Sequence, residues 1–311
     1  MNIIFFGSDD FARAHLEALL ESRHKILACV TSPDKPRGRG LNIISSPIKQ
    51  LAREKKLSVF QPVSLDQTFI NQLRSFKSDL FVVIAYGKIL PAELLEAPSK
   101  ASLNVHASLL PKYRGAAPIH WAVINGEKET GLSIIKMNAA LDAGEVIEQI
   151  KISIDPEDTA PSLKFKMMAA GPQVLLKTMD SLENNTYTLK AQVEKEATYA
   201  PKLTKELGRV NWKDEALRIH NLARGLLPWP AAYTFCNGKL LKILSSEVVN
   251  EDFNPAQEGE VVKIDKNGFV VAAGKGGLLV KEVRVESAKS MPAWSFVQGH
   301  QLSVGMKFGN D

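Results

Sequence analysis

Cysteine is nearly missing from this sequence: 311 residues hold two, Cys29 and Cys236, far apart and without any C-x-x-C spacing. That argues against a disulfide framework or a thiolate zinc site and suits a reducing cytosol. Long apolar runs are missing too, since none reaches the roughly 20 residues that a membrane helix needs. The apolar opening from Met1 to Gly7 is too short for a signal peptide and carries no basic n-region. The glycine fingerprints of nucleotide binding are also lacking. The turn after the first apolar run offers Gly7 alone rather than G-x-G-x-x-G, and G-x-x-x-x-G-K-[ST] does not occur. Gly38-Arg39-Gly40 is not placed between a strand and a helix, and Gly274-Lys275-Gly276-Gly277 lies between two β-like runs, so it reads as a hairpin turn. Dinucleotide binding is therefore not expected. No internal repeat and no low-complexity tract is present.

What is there is an ordinary globular composition, 45% hydrophobic and 23% charged, with a net charge of +5. The length suggests about two domains. The mild basicity permits a polyanionic partner without requiring one. Ile3 to Phe6, Ile26 to Thr31, Leu80 to Ala85 and Leu103 to His106 read as buried strands, with Phe11 to Leu19 and Thr68 to Phe76 as helices between them. Strands alternating with helices predict an α/β domain with a Rossmann-like, doubly wound, mostly parallel sheet.

The run Ala101 to Val105 feeds into Asn104-Val105-His106-Ala107-Ser108-Leu109-Leu110-Pro111-Lys112-Tyr113-Arg114-Gly115-Ala116-Ala117-Pro118. The two-residue period of a strand puts Asn104 and His106 on one side. They stand at the carboxyl end of a parallel strand, where open α/β sheets place their chemistry. An amide NH₂ and an imidazole side by side can donate to an oxygen that gains negative charge, and imidazole moves protons near neutral pH. A lone strand histidine is more often a packing residue; the neighbouring Asn and the Pro/Gly-rich turn favour catalysis. Thr130 to Met137 alternates like a strand and leads to Leu141-Asp142-Ala143-Gly144. Asp142 reads first as a turn former; its functional reading is a buried carboxylate that orients His106 and accepts a proton through water. No G-x-S-x-G elbow accompanies Ser108, so direct transfer is favoured over a covalent enzyme intermediate.

Between Ser32 and Pro47 lies a long loop in which Lys35, Arg37 and Arg39 face one acid, Asp34. Loops of this length inside a compact domain are functional or disordered. A solvated surface loop and an arm that touches nucleic-acid phosphates stand about even.

The stretch from Asn104 to Pro118, together with Leu141-Asp142-Ala143-Gly144-Glu145-Val146-Ile147, resembles the active site of the 10-formyltetrahydrofolate-dependent formyltransferases. The resemblance covers essentially the whole chain, including Asn221-Leu222-Ala223-Arg224-Gly225 and Pro228-Trp229-Pro230. The Asn–His–Asp trio is shared with the members acting on glycinamide ribonucleotide or amino sugars, so it gives the chemistry alone. Gly38-Arg39-Gly40 in the basic loop and Arg114 to Ile119 resemble the branch whose acceptor is initiator Met-tRNA. The resemblance implies catalytic roles for Asn104, His106 and Asp142, and a folate site lined by Ser108, Leu109, Leu110 and Pro111 with Tyr86 and Gly87 as pocket wall. It implies tRNA contacts by Lys35, Arg37 and Arg39. It also implies 10-formyltetrahydrofolate as co-substrate, no metal, and a cytoplasmic, monomeric enzyme of translation initiation.

A helical pattern from Ile154 to about Ser181, with Leu163, Met167, Leu175 and Met179, closes the first domain, residues 1–182. Residues 183–207 are polar, charged and without period, and read as an extended linker. Residues 208–311 begin with an amphipathic helix from Asp214 to Leu226, stopped by Pro228 and Pro230. Ala232–Phe235, Leu240–Val249, Gly259–Ile264, Phe269–Ala273 and Leu278–Val285 then follow at the spacing of a small OB-like barrel, a common nucleic-acid platform. From Lys190 onward cations exceed acids by 17 to 14, too little to establish RNA contact without help. The competing expectations are a formyltransferase acting on a small amine, for which loop and barrel would not matter, and a non-catalytic RNA-binding protein, against which the intact trio counts.

Overall fold

The computed structural model describes residues 1–37 and 42–309. They form two compact units, one of residues 1–118, 129–153 and 164–200, the other of residues 119–128, 154–163 and 201–311.

The first unit runs β1 (Asn2–Gly7), α1 (Asp10–Glu21), β2 (Lys25–Val30), β3 (Lys35–Arg37), β4 (Asn42–Ile44), α2 (Pro47–Glu54), β5 (Ser58–Phe60), α3 (Gln67–Arg74), β6 (Leu80–Ile84), α4 (Ala92–Leu95), β7 (Ala101–His106) and β8 (Arg114–Gly115). After α5 (Pro118–Ile124), which lies in the second unit apart from its first residue, come β9 (Glu129–Lys136), β10 (Glu145–Ser153), α6 (Ala160–Glu183), whose residues 160–163 belong to the second unit, and β11 (Tyr199–Ala200). The seven-stranded sheet has the order β10-β9-β7-β6-β1-β2-β5. Five neighbouring strands are parallel, and at one edge β9 pairs antiparallel with both β7 and β10. The unbroken apolar runs of β1 and β6 are buried over Ile3–Gly7 and Leu80–Ile84 because helices cover both sheet faces. Helix starts are written in side chains: Asp9 caps α1, Ser46 caps α2 with Pro47 in the first turn, and Asp66 caps α3.

Three stretches depart from the sequence expectation. The loop from Ser32 to Pro47 contains a hairpin, β3 on β4, with Lys35 opposite Ile44 and Arg37 opposite Asn42; strands of three residues, one of them a proline, leave no readable alternation. The helix expected from Ile154 begins at Ala160. Pro156 lacks an amide hydrogen, the Asp158 carboxylate accepts from the Asp155 amide at 2.7 Å, and the Thr159 hydroxyl caps Ser162 at 3.2 Å. The stretch after residue 183 is extended but not free: Lys190 exchanges two backbone hydrogen bonds with Val146, and β11 adds in parallel to β8.

The second unit holds a 3₁₀ turn (Glu206–Gly208), α7 (Ala216–Gly225), β12 (Ala232–Cys236), β13 (Lys239–Val249), β14 (Val261–Asp265), β15 (Gly268–Ala272), β16 (Gly277–Val285), β17 (Met291–Pro292) and α8 (Ala293–His300). The sheet, ordered β12-β13-β16-β15-β14 with β17 on β16, is antiparallel and OB-like. Register shifts inside β13 let its eleven residues bend between two partners. Asn237 and Gly238, both at positive φ (50° and 72°), make the tight turn from β12 to β13. Trp212, Phe269, Phe296 and Phe308 fill the core. β17 and α8 are additions to the strand pattern read from the sequence.

Candidate active site

β7 sits between β6 and β9, with Asn104 opposite Val83 on one side and Ile135 on the other, and His106 opposite Ser133. The pleat puts Asn104 and His106 on the same face, as their spacing requires. Asp142 lies on the loop from β9 to β10, in a left-handed conformation with φ of 49°, which a short polar side chain tolerates. The turn and the carboxylate are thus the same residue. The Asp142 side chain is only 12% exposed and that of His106 6%. One carboxylate oxygen accepts from Asn104 Nδ2 at 3.3 Å. The other accepts the Gly115 backbone N–H at 2.8 Å and stands 3.6 Å from His106 Nδ1. His106 Nε2 is 2.9 Å from the Tyr113 carbonyl. A carbonyl only accepts, so Nε2 carries the proton and Nδ1 is turned to the carboxylate. The Asn104 amide and, when the ring carries a second proton, His106 Nδ1 thus offer donors beside one carboxylate, an arrangement that can hold an oxygen as it gains charge and can take up a proton.

The turn after His106 is fixed from within. Ser108 is fully buried and donates to the Lys112 carbonyl at 2.6 Å. Ser133 Oγ donates to the Ser108 carbonyl and accepts the Leu110 N–H, while Gln149 donates to the Leu110 carbonyl. Leu110 packs on Ile135 and Val146, and Leu109 and Pro111 stay partly exposed. Tyr86 follows β6 and is buried edge-on against Phe6 at 5.5 Å. Its hydroxyl is one of two buried side-chain atoms without a hydrogen-bond partner among the described residues, and burial pushes its pKa up to about 12. Gly87, at φ of 82°, borders open space.

A hollow of about 400 Å³ opens between α4, the start of β7 and the loop after β9. Leu95, Ser102, Met137 and Asn138 line it, and none of these was singled out by spacing. Met137 and Asn138 open the same loop that carries Asp142, so one segment joins hollow and carboxylate. Ile89 and Leu141, on the two loops beside it, are 77% and 55% exposed. Of the basic loop, Lys35 and Arg37 fall on β3, while Arg39 lies outside the described residues. Among the described residues no group of three His, Cys, Asp or Glu could hold a metal ion, and no helix is long and apolar enough to cross a membrane.

Gln192 is a further residue of the site that no sequence motif marks. Its amide donates to the carbonyls of Asp142 and Gly144 and accepts from Arg114. Its partners lie 48 or more residues away, so no local pattern marks it. The one available signal was Arg114, a cation set among small and apolar residues and in need of a distant partner.

Known proteins line up with this chain along its whole length. Residues 1–179 match the family model described as formyl transferase, and residues 202–301 match that described as formyl transferase, C-terminal domain. A methionyl-tRNA formyltransferase of Caldanaerobacter subterraneus subsp. tengcongensis is 44% identical over 307 residues, covering 98% of this chain and 99% of that protein. One from Thermodesulfovibrio yellowstonii is 43% identical over 305 residues, covering 98% and 97%. Among solved structures, an N-formyltransferase from Helicobacter canadensis in complex with folinic acid and dTDP-3-aminofucose has a TM-score of 0.69 at 20% identity, covering 93% of this chain and 99% of that one. HypX from Aquifex aeolicus in complex with tetrahydrofolic acid has a TM-score of 0.66 at 17% identity, covering 97% of this chain and 48% of that one. At these identities the two structures speak for the fold. With both family models matched and relatives above 40% identity end to end, the chain belongs to the formyl transferase family, among the methionyl-tRNA formyltransferases.

Proposed function

We propose that this protein transfers the formyl group of 10-formyltetrahydrofolate to the α-amino group of methionine on initiator Met-tRNA. The observation that carries the reading is the buried Asp142 carboxylate, 3.3 Å from the Asn104 amide and 3.6 Å from the His106 imidazole. The co-substrate supplies an acyl carbon whose leaving group is a folate nitrogen. Asn104 Nδ2 and a protonated His106 Nδ1 donate to the formyl oxygen as the neutral amine adds to its carbon. Asp142 takes the proton that the amine must lose and delivers it through water to the folate nitrogen as the bond from that nitrogen to the formyl carbon breaks. The carbonyl of Tyr113 holds the imidazole by Nε2, so the ring cannot turn its working nitrogen away.

The hollow beside Met137 suits the flat, polar-edged ring of the folate. Its size falls in the range of small-molecule sites, about 300 to 1,000 Å³, and its lining mixes apolar Leu95 and Met137 with polar Ser102 and Asn138. Ser108 and Leu110 are buried and serve by shaping the turn; Leu109, Pro111 and Gly87 offer surface. Lys35, Arg37 and Arg39 act on the phosphates of the tRNA, as does the OB-like unit. Affinity for tRNA then falls steeply with salt, by about 0.9 in log K per phosphate contact for each log unit of salt on a duplex. The deciding experiment is transfer from the formylated folate to Met-tRNA, with free methionine as control. Formylation of free methionine at the same rate, or of neither, overturns the reading.

A further inference from the structure

We infer that Gln192 and Arg114 are positioning residues for the Asp142 carboxylate. The inference rests on the reading that Asp142 takes part in transfer, and adds what keeps it in place. The loop of residues 137–144 has little of its own to hold it: Asn138 Oδ1 accepts the Ala140 N–H at 3.0 Å, and the Ala143 N–H reaches the Ala140 carbonyl at 3.4 Å. Its centre is Asp142 in a left-handed conformation.

Gln192 closes that loop from below. Its Nε2 donates to the Asp142 carbonyl at 2.8 Å and to the Gly144 carbonyl at 2.7 Å. Its Oε1 accepts from Arg114 Nε at 3.1 Å and from Nη2 at 2.9 Å. The amide orientation follows from chemistry, because two carbonyls can only accept and a guanidinium can only donate. Arg114 is buried at 2% exposure, and its guanidinium also reaches the Glu194 carboxylate at 2.9 to 3.0 Å. The residue after Arg114 is Gly115, whose N–H holds the Asp142 carboxylate. Its backbone lies so close to Ala200 that a Cβ there would meet the Ala200 carbonyl at 2.8 Å, and the Ala116 N–H bonds that carbonyl at 2.9 Å.

Asp142 is therefore gripped at both ends by one dipeptide. The Gly115 backbone takes the side chain, and the Arg114 side chain, through Gln192, takes the backbone beneath it. Gln192 makes none of these bonds to Asn104 or His106, so its effect on chemistry passes through the loop that carries Asp142. A reacting group displaced by about 1 Å can lose about 10² in rate.

The test is a double-mutant cycle on the full chain with Gln192→Ala, Gln192→Met and Asp142→Ala. Gln192→Met keeps the volume should the alanine variant not fold. The readouts are kcat, KM for Met-tRNA and deuterium exchange of amides 137–145. In the otherwise native chain each Gln192 variant should lower kcat by about 10- to 100-fold with KM for Met-tRNA within about twofold, and speed exchange across the loop. In the Asp142→Ala background the same change should cost less than about twofold, because the carboxylate that Gln192 positions is already gone. An equal fold-loss in both backgrounds, or native kcat and native exchange in the single variants, overturns the inference. Failure of the native protein to formylate Met-tRNA would sink the proposed function instead, and the exchange measurement would still decide whether Gln192 fastens the loop.

Discussion

Replacing Asp142 by asparagine separates charge from shape. The asparagine oxygen can still accept the Gly115 N–H, which the carboxylate now does at 2.8 Å, and its NH₂, standing where an oxygen accepts from Asn104, is met when the Asn104 amide turns over. Asparagine also tolerates the left-handed backbone at φ of 49°. Stability should therefore change by less than about 1 kcal/mol, against the cost of about 1 to 3 kcal/mol expected if a buried N–H were left without an acceptor. What disappears is the negative charge 3.6 Å from His106 Nδ1 and the group able to take the amine proton. Loss of one preorganised electrostatic contact costs about 10² to 10³ in rate, and loss of a proton acceptor about 10² to 10⁴. A loss near 10³ in kcat corresponds to about 4 kcal/mol of barrier. Single-turnover formyl transfer under saturating Met-tRNA and formylated folate reads that step directly. Asn104→Ala and His106→Ala belong in the same assay, with losses of at least about 10² each. A turnover for Asp142→Asn within tenfold of the native protein, with urea unfolding unchanged, would remove the carboxylate from the mechanism.

Three further outcomes concern stability. His15 is fully buried on α1, and burial lowers its pKa from 6.5 to about 4. The unfolded chain therefore binds more protons between those values, so stability is complete above about pH 6.5 and is lost as the pH falls toward 4. From pH 7.5 to 5.0 this one group should remove about 2 kcal/mol; urea midpoints should show it, His15→Leu should flatten the slope, and equal slopes would refute the assignment. Gly171→Ala on α6 ought by helix propensity to gain about 1 kcal/mol. A Cβ there would stand 2.4 Å from His15 Nε2, so a loss of about 1 to 3 kcal/mol is expected instead, and any gain in melting temperature would contradict the packing. In the second unit Arg224 donates to the Asp158 carbonyl at 2.6 Å and to Asn221 at 2.9 Å while itself buried. Arg224→Ala should cost about 3 kcal/mol by leaving those acceptors dry, which calorimetry would reveal as an early transition; a change below about 1 kcal/mol would show that water replaces the guanidinium.

Which parts of this molecule could be read in advance follows from where each residue's partner stands. β1 and β6 are buried on both faces, so burial itself writes an unbroken apolar run. Asn104 and His106 were legible because their relation is local, two residues along one strand. The strands of the second unit announced themselves by turns, and Asn237-Gly238 does adopt the positive φ that its composition demands. α8 carried a signal as well, with Ala293, Phe296 and Val297 inward at helical spacing, but eight residues after Pro292 is too short for period alone to tell helix from strand. Gln192 is the opposite case. It lies in a polar stretch whose pattern promises a linker, and its work is done for loops 48 to 78 residues earlier in the chain. Asp142 falls between. A turn needs a short polar residue that accepts a left-handed backbone, and a catalytic carboxylate on a loop needs the same residue held out of water. Sequence spacing therefore gives one answer for both uses. Only the convergence of Asn104, His106 and Gly115 on its two oxygens distinguishes the role proposed for this carboxylate from that of one that merely bends the chain.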